Sequence, residues 1–516
     1  MWLNLPSIDS YLVYYELLFV TVFISFIFYL RKRPACLPPP GPRGSFFSGT
    51  RSIIVTRKDV WRQYAEWSKI YGPVISFKSH KVNIVVLNSA KSIHNLLDSR
   101  SKLYSDRPSS AMNQLVGQDS LQTRISSRNP HFPLYRKMAH EELAWKGMSR
   151  HVPVLESQVK SLLKNLMSDP KNFSEHLRSY QGGSVMKAIY GYTAESSDDF
   201  FIKFIQQWWQ VNNATMRTGS WLVDSYPILK YLPSWMPGAG FKEFAAQRKA
   251  SIDDVMSLPF AWAKSDISTG RAYASFVASQ LNRQEGLTSE DEEIIKLVSG
   301  SMYVTGTDSV LSTMLTFFLT MTLNPAAQRI AQEEIGRVIG PDRLPLLSDR
   351  DRLPYVDALI KEVYRFHTPA PLALPHAVTQ DDIYEGMFIQ KGSIVVPNVW
   401  AVTHDESVYP DPDTFDPTRY LRSEDGKGNV QPDPRNFVFG FGRRVCPGKQ
   451  FGESAVFLQI ASILATFNIS KALDADGAEI TPAIDYKGGI VTQPEEFVCK
   501  IVPRSDAAID LIMWSH

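Results

Sequence analysis

The chain has 516 residues with 55 Lys+Arg against 53 Asp+Glu, so it carries no electrostatic footprint for nucleic acid. Its three cysteines, Cys36, Cys446 and Cys499, cannot build a disulfide framework, which points to a reducing compartment for the bulk of the chain. Proline (33 residues) and aromatics (12%) exclude a coiled coil or a disordered chain and fit a folded, loop-bearing body with a large core.

The first element is apolar. Residues 11–30, YLVYYELLFVTVFISFIFYL, have the length that a helix needs to cross the hydrocarbon core, and Arg31, Lys32 and Arg33 follow directly. Positive residues after the span favour a cytosolic C-terminal side. A cleaved signal peptide would want its basic residues before the apolar run. The reading is an N-terminal membrane anchor over 1–33, single-pass. Leu37 to Gly44, LPPPGPRG, cannot continue a helix and gives a hinge or linker over 34–45. No repeat and no second linker follows, so 46–516 reads as one large domain.

Within that domain, apolar residues at three- and four-residue spacing predict helices over 156–167, 291–323 and 328–339. Asn324-Pro325 should end one long helix and open the next. VNIVVLN at 82–88 and GSIVVPNVW at 392–400 predict strands of a small sheet. The fold class is mainly α with a small β part.

The chemistry concentrates in FGFGRRVCPG, residues 439–448. Gly440 and Gly442 permit a tight turn and a close backbone approach. Pro447 suits the first position of a helix, and Phe451, Ala455, Val456, Ile460, Ile463, Leu464 and Phe467 would give that helix one buried face. Cys446 would then sit at a helix N-terminus beside Arg443 and Arg444, where amides and the dipole stabilise a thiolate. No companion Cys or His stands at zinc spacing. Two readings fit: a reactive nucleophile, or the single axial ligand of a metal such as haem iron that brings its other ligands.

These residues resemble the cysteine-ligand loop of the cytochrome P450 family, Phe-x-x-Gly-x-Arg-x-Cys-x-Gly, filled by Phe439, Gly442, Arg444, Cys446 and Gly448. The resemblance runs from the apolar N-terminal stretch to about Pro494. It implies the family's α-rich fold, a haem b with Cys446 as axial thiolate, and an endoplasmic reticulum membrane location with the catalytic domain cytosolic. In KEVYR, Glu362 and Arg365 stand three apart on a helix face. A solvated surface pair is the ordinary reading; the resemblance implies instead a buried triad with Arg419 of FDPTRY, holding the cysteine-side architecture. TGTDS, 305–309, resembles the family's oxygen-side helix distortion. Gly306 and Asp308 conform, while Thr305 replaces a small residue and Ser309 a threonine. Asp308 and Ser309 would deliver protons, with Thr305 as a second hydroxyl on the same face. Back-bonding of both hydroxyls to helix carbonyls is the alternative.

For the haem carboxylates the resemblance offers Arg444, and His376 of LALPHAV. The early-helix Trp-Arg-x-x-Arg is matched only by PLYRKMAH, which leaves Tyr135 and Arg136, with His140 as a substitute. Partners implied are O2, a lipophilic small-molecule substrate, the membrane and NADPH-cytochrome P450 reductase docking near Arg443, Arg444 and Lys449. The substrate space should be lined by 112–121, 208–217, 302–305, 370–374 and 489–491, mostly apolar. The expected activity is NADPH-dependent monooxygenation in fungal secondary metabolism, terpenoid or polyketide. Oxidation of foreign compounds, a haem-thiolate isomerase or dehydratase, and a non-catalytic haem sensor are the rivals. Sequons at Asn172, Asn213 and Asn468 should stay unglycosylated in the cytosol.

Overall fold

The computed structural model describes residues 15, 17–23, 36–44, 58–79, 82–121, 125–194, 198–212, 221–271, 273–283, 286–422 and 430–514. The expected anchor lies almost wholly outside this set. Tyr15 and residues 17–23 are helical and exposed, and among the described residues no single helix is long and apolar enough to cross a membrane. Asn213 also lies outside it. The proline segment is tied to the body: Ser76 N–H donates to Pro40 O at 2.8 Å and Phe388 N–H to Leu37 O at 2.8 Å.

The body is mainly helical, with small sheets. In chain order α1 (Val60–Tyr71), β1 (Val74–Ser79) and β2 (Val82–Leu87) come first. The helical body follows as α2 (Phe132–Leu143), α3 (Trp145–Ser168), α4 (Phe173–Tyr190), α5 (Phe200–Asn212) and α6 (Gly240–Ser268). Its centre is α7 (Ser289–Gly306) and α8 (Asp308–Leu323), followed by α9 (Pro325–Val338) and α10 (Pro354–Phe366). Strands β3 (His376–Ala377), β4 (Asp382–Tyr384), β5 (Met387–Ile389) and β6 (Ile394–Pro397) precede α11 (Lys449–Thr466). The chain closes with β7 (Phe467–Leu473), β8 (Glu479–Ile480), β9 (Cys499–Pro503) and α12 (Asp506–Trp514).

The main sheet runs β1-β2-β6-β3. Ile84 pairs with Ile394 in the parallel β2–β6 ladder, and His376 with Val395 in the antiparallel β3–β6 ladder. A short strand on a buried sheet thus fixes His376. The expected strand at 392–400 is shorter because Asn398 caps a helical turn, Val399–Thr403, accepting from Ala401 N–H at 3.2 Å.

Helices differ from their sequence patterns where packing outweighs local preference. α3 begins well before 156 and continues through Pro153, since Met148 and Leu155 are already in the core. The expected helix over 291–323 starts earlier, at a Thr288–Asp291 capping box, and is interrupted at Thr307. Asn324 ends α8 and Pro325 opens α9 with a bend of 106°, as Asn-Pro dictates.

α11 corrects two expectations. It begins at Lys449 behind Gly448, so Pro447 lies in the preceding turn and is not the first helical residue. It also has no single buried face: Ser454 to Leu464 are all buried, which makes it a central core helix. Its one long polar side chain there, Gln459, is satisfied by Gln181 of α4 at 2.8 Å and the Ala455 carbonyl at 2.9 Å.

Candidate functional site

The loop before α11 is built by its glycines. Gly440 has φ +78° and Gly442 φ +50°, backbone that side chains disfavour. A Cβ on Gly442 would lie 2.3 Å from Leu97 O, so this loop is pressed against the residues before Arg100. Gly442 N–H donates to Asp98 Oδ1 at 2.7 Å, and Cys446 N–H to Phe439 O at 2.7 Å. Phe439 stacks edgewise on Tyr364 at 5.5 Å, which anchors the turn to α10.

Cys446 has open surface, yet protein surrounds it on every side. The two facts agree if that surface faces an interior space. Burial pushes its thiol above the ordinary range, with Glu453 adding to this, while the Gly448 amide, Arg136 and Lys449 pull it down. The expected thiolate stabilisation is therefore present but outweighed: these groups alone leave the sulfur protonated.

The interrupted helix packs against α11 through its second part, α8. Thr305 is exposed although Met302, Tyr303, Val304 and Thr307 around it are all buried. The Val304 carbonyl, at the break, accepts from the Trp209 indole of α5 at 3.0 Å. A Cβ on Gly306 would meet Val185 at 3.2 Å, which holds α4 close to the break. α8 and α11 touch where a Cβ on Gly452 would meet Val310 at 3.8 Å, so the cysteine loop and the break flank one helix crossing.

Thr305 donates its hydroxyl to Ser301 O at 2.8 Å, the back-bonded state. Ser309 is half-buried; its carbonyl takes the Thr313 hydroxyl, and its own hydroxyl makes no such bond to the helix. Asp308 is held by Gln493, whose amide donates to Oδ1 at 2.7 Å. Burial raises the Asp308 carboxyl to about 6, against the pull of Arg178 and Gln493.

Cations gather at residues 104–107. Arg444 is buried and turns away from Cys446, its Nε donating to Ser105 O at 2.8 Å and Nη2 to Ile125 O at 2.6 Å, 4.2 Å over the Phe132 ring. Burial lowers it to about 10. His376 Nδ1 meets Tyr104 O at 2.6 Å, and burial, with Arg107 and Arg444 nearby, holds the ring neutral. Arg107 grips the Leu374 and Pro375 carbonyls at 2.7 Å each. No pattern in the sequence marks Arg107; only its place beside His376 does.

Arg136 donates to Val445 O and so reaches the cysteine loop. Tyr135 is buried in the apolar cluster with Met138 and Met302, and its hydroxyl feels Glu293; it is not among the cations. His140 is exposed. Of the expected docking residues, Arg443 is exposed, Arg444 is buried and off the surface, and Lys449 Nζ stands 3.9 Å from Glu453.

The Glu362–Arg365 pair is fully buried and bidentate, at 2.7 and 2.8 Å. Arg419 Nε lies 3.4 Å from Glu362 Oε1, an ion-pair distance without hydrogen-bond alignment, and its Nη atoms take the Pro410, Asp411 and Thr414 carbonyls. Asp416 N–H completes Glu362 at 2.9 Å. The triad is brought together, within the core and apart from the interior space.

Among the described residues no group of three His, Cys, Asp or Glu side chains is placed to hold a metal. One exposed sulfur on a close-approach loop, with Arg136 bonded to that loop and an exposed Thr305 near the contact of α8 with α11, fits a flat group carrying an iron and carboxylates.

Comparison with known proteins agrees. The sequence model of the cytochrome P450 family matches residues 38–501. The chain is 37% identical over 478 residues to cytochrome P450 monooxygenase claR of Ampulloclitocybe clavipes, covering 92% of this chain and 88% of that one. It is 36% identical over 498 residues to cytochrome P450 monooxygenase 208 of Postia placenta, covering 96% of each. Cytochrome P450 monooxygenase COX2 of Coprinopsis cinerea is 36% identical over 483 residues, covering 92% and 90%.

Proposed function

The chain belongs to the cytochrome P450 family, and from that premise we propose that it inserts one oxygen atom from O2 into a lipophilic small molecule of fungal secondary metabolism. The family's cofactor is a haem with iron bound by a cysteine thiolate, and its monooxygenases work with O2, an organic substrate and a redox partner. One observation carries the reading: the exposed Cys446 precedes α11, which meets α8 just past the Thr307 break at the approach of Gly452 to Val310.

When bound, the haem supplies oxygen activation, the thiolate's electron density favouring O–O cleavage. Cys446 is the iron ligand, held by the Phe439 carbonyl and the Gly448 amide. Because the surrounding side chains leave the sulfur protonated, Cys446 would lose its proton on ligating the iron. Arg444 and Arg107 supply the positive charge for the carboxylates, with the neutral His376 beside them. Arg136 steadies the loop through Val445 O. Tyr135 packs beside α7.

Asp308 is the acid of a proton relay. A carboxyl held at about 6 exchanges protons readily near neutral pH, which general acid catalysis requires. Ser309 is the alcohol that passes the proton on, because the Thr305 hydroxyl is already engaged. An acid of this kind counts against an isomerase that does not use O2. Glu362, Arg365 and Arg419 maintain the architecture under the loop.

Electrons come from NADPH through a membrane-bound diflavin reductase docking near Arg443 and Lys449. Residues 1–33 anchor the chain in the endoplasmic reticulum membrane, 34–45 form a hinge and 46–516 the cytosolic haem domain; the apolar run before Arg31, Lys32 and Arg33 supports this. The apolar composition of the expected lining segments, of which 213–217 lie outside the described residues, supports a lipophilic terpenoid or polyketide substrate. Metabolite profiling of a host with the chain plus reductase, against the Cys446→Ala chain plus reductase, tests it. An oxygenated terpenoid or polyketide found only with the intact chain is expected. Identical profiles, or turnover without NADPH and reductase, would refute it.

A further inference from the structure

The segment from Tyr486 to Pro494 is fixed against both α8 and the residues that follow α10. Thr492 is fully buried; its N–H donates to Pro369 O at 2.8 Å and its hydroxyl meets His367 Nε2 at 2.7 Å. The Ser312 hydroxyl donates to Thr492 O at 2.5 Å. Tyr486 stacks on His367 with ring centroids 3.3 Å apart, and Tyr486 bridges to Pro494 across the strap.

Ser312 and Asp308 lie one turn apart on the same face of α8. The strap places consecutive residues on them, Thr492 on Ser312 and Gln493 on Asp308. This register makes the Gln493 amide a fixed donor to a half-buried carboxyl, not a mobile surface contact. We propose that Gln493 is a positioning residue for Asp308, holding the carboxyl in the orientation from which it delivers its proton to Ser309.

The charged groups facing Asp308 are limited. Arg178 of α4 favours the ionised carboxyl, and Glu175 pairs with Arg178 at 3.5 Å. Gln493 is the neutral donor from the strap and also favours the ionised form. Removing it leaves burial opposed by Arg178 alone, so the carboxyl must bind its proton more tightly. A hydrogen bond to a charged group corresponds to a rise of about one pH unit.

The inference rests on Asp308 being the relay acid, and the test separates the two. In the haem-loaded protein, the infrared carboxyl stretch that Asp308→Asn removes is titrated from pH 5 to 8. Peroxide released per NADPH oxidised, with reductase and no added substrate, is followed over the same range. Gln493→Leu should move the midpoint of both up by about one pH unit, and Gln493→Glu, which swaps the donor for a second carboxyl, should move both further the same way. If Asp308→Asn alters peroxide release while both Gln493 variants leave both midpoints in place, Gln493 is a packing residue and the inference falls alone. If Asp308→Asn alters nothing, the relay assignment falls and the inference with it.

Discussion

Replacing Asp308 by Asn should stabilise the protein while damaging its chemistry. The carboxyl is held at about 6 in the folded chain against an ordinary 3.8, chiefly by burial. The folded state therefore binds more protons than the unfolded one between those values, and stability falls as pH rises through the window. The gap corresponds to about 3 kcal/mol at about 1.36 kcal/mol per pH unit, fully expressed above pH 7 and about halved at pH 5. Asn keeps the oxygen that accepts from Gln493 and removes the cost of charging a buried group. For a chain of this size the unfolding entropy is on the order of 1 kcal/mol/K, so Tm should rise by about 3 °C at pH 7.5 and about half that at pH 5. Scanning calorimetry of the wild-type and Asp308→Asn haem proteins at both pH values measures it. A gain independent of pH, or a loss at pH 7.5, would refute the burial argument.

Other substitutions probe the loop, the alcohols and the triad. Gly442→Ala places a Cβ 2.3 Å from Leu97 O at a φ of +50°, so the loop must shift, and the purified protein should carry much less haem by absorbance. Ser309→Ala should raise peroxide per NADPH, because the proton that general acid catalysis needs is no longer delivered, whereas Thr305→Ala, losing a hydroxyl already bonded to Ser301 O, should change it little. The reverse ranking would assign the relay to Thr305. Glu362→Gln leaves Arg365 buried without its carboxylate, at a cost of roughly 3–5 kcal/mol, seen as a lower urea midpoint and poor folded yield.

The sequence made the cysteine loop legible as a spacing of distinctive residues, whereas the triad and the proposed relay acid were legible only through the family resemblance, since Glu362 and Arg365 alone read as a surface pair. Glu362, Arg365 and Arg419 do meet in the core, and Cys446 lies on the turn before α11. What the sequence did not disclose is where long side chains go. Arg444 stands two residues before the cysteine, yet it turns away to carbonyls of Ser105 and Ile125. Arg107, Trp209 and Gln493 carry no periodic or motif signal, and their relevance comes from segments that meet only in three dimensions. The break at Thr307 was expected from the resemblance but not from hydrophobic periodicity, which runs through it uninterrupted. Element boundaries failed where burial on all sides erased a face, as in α11, or where core packing carried a helix past a proline, as in α3.

The most direct measurement is the carbon monoxide difference spectrum of the reduced protein. With Cys446 as thiolate ligand the Soret band should be red-shifted in the wild-type chain and lost in Cys446→Ala. A wild-type spectrum without that red shift, in a protein that has bound haem, would contradict the assignment of Cys446.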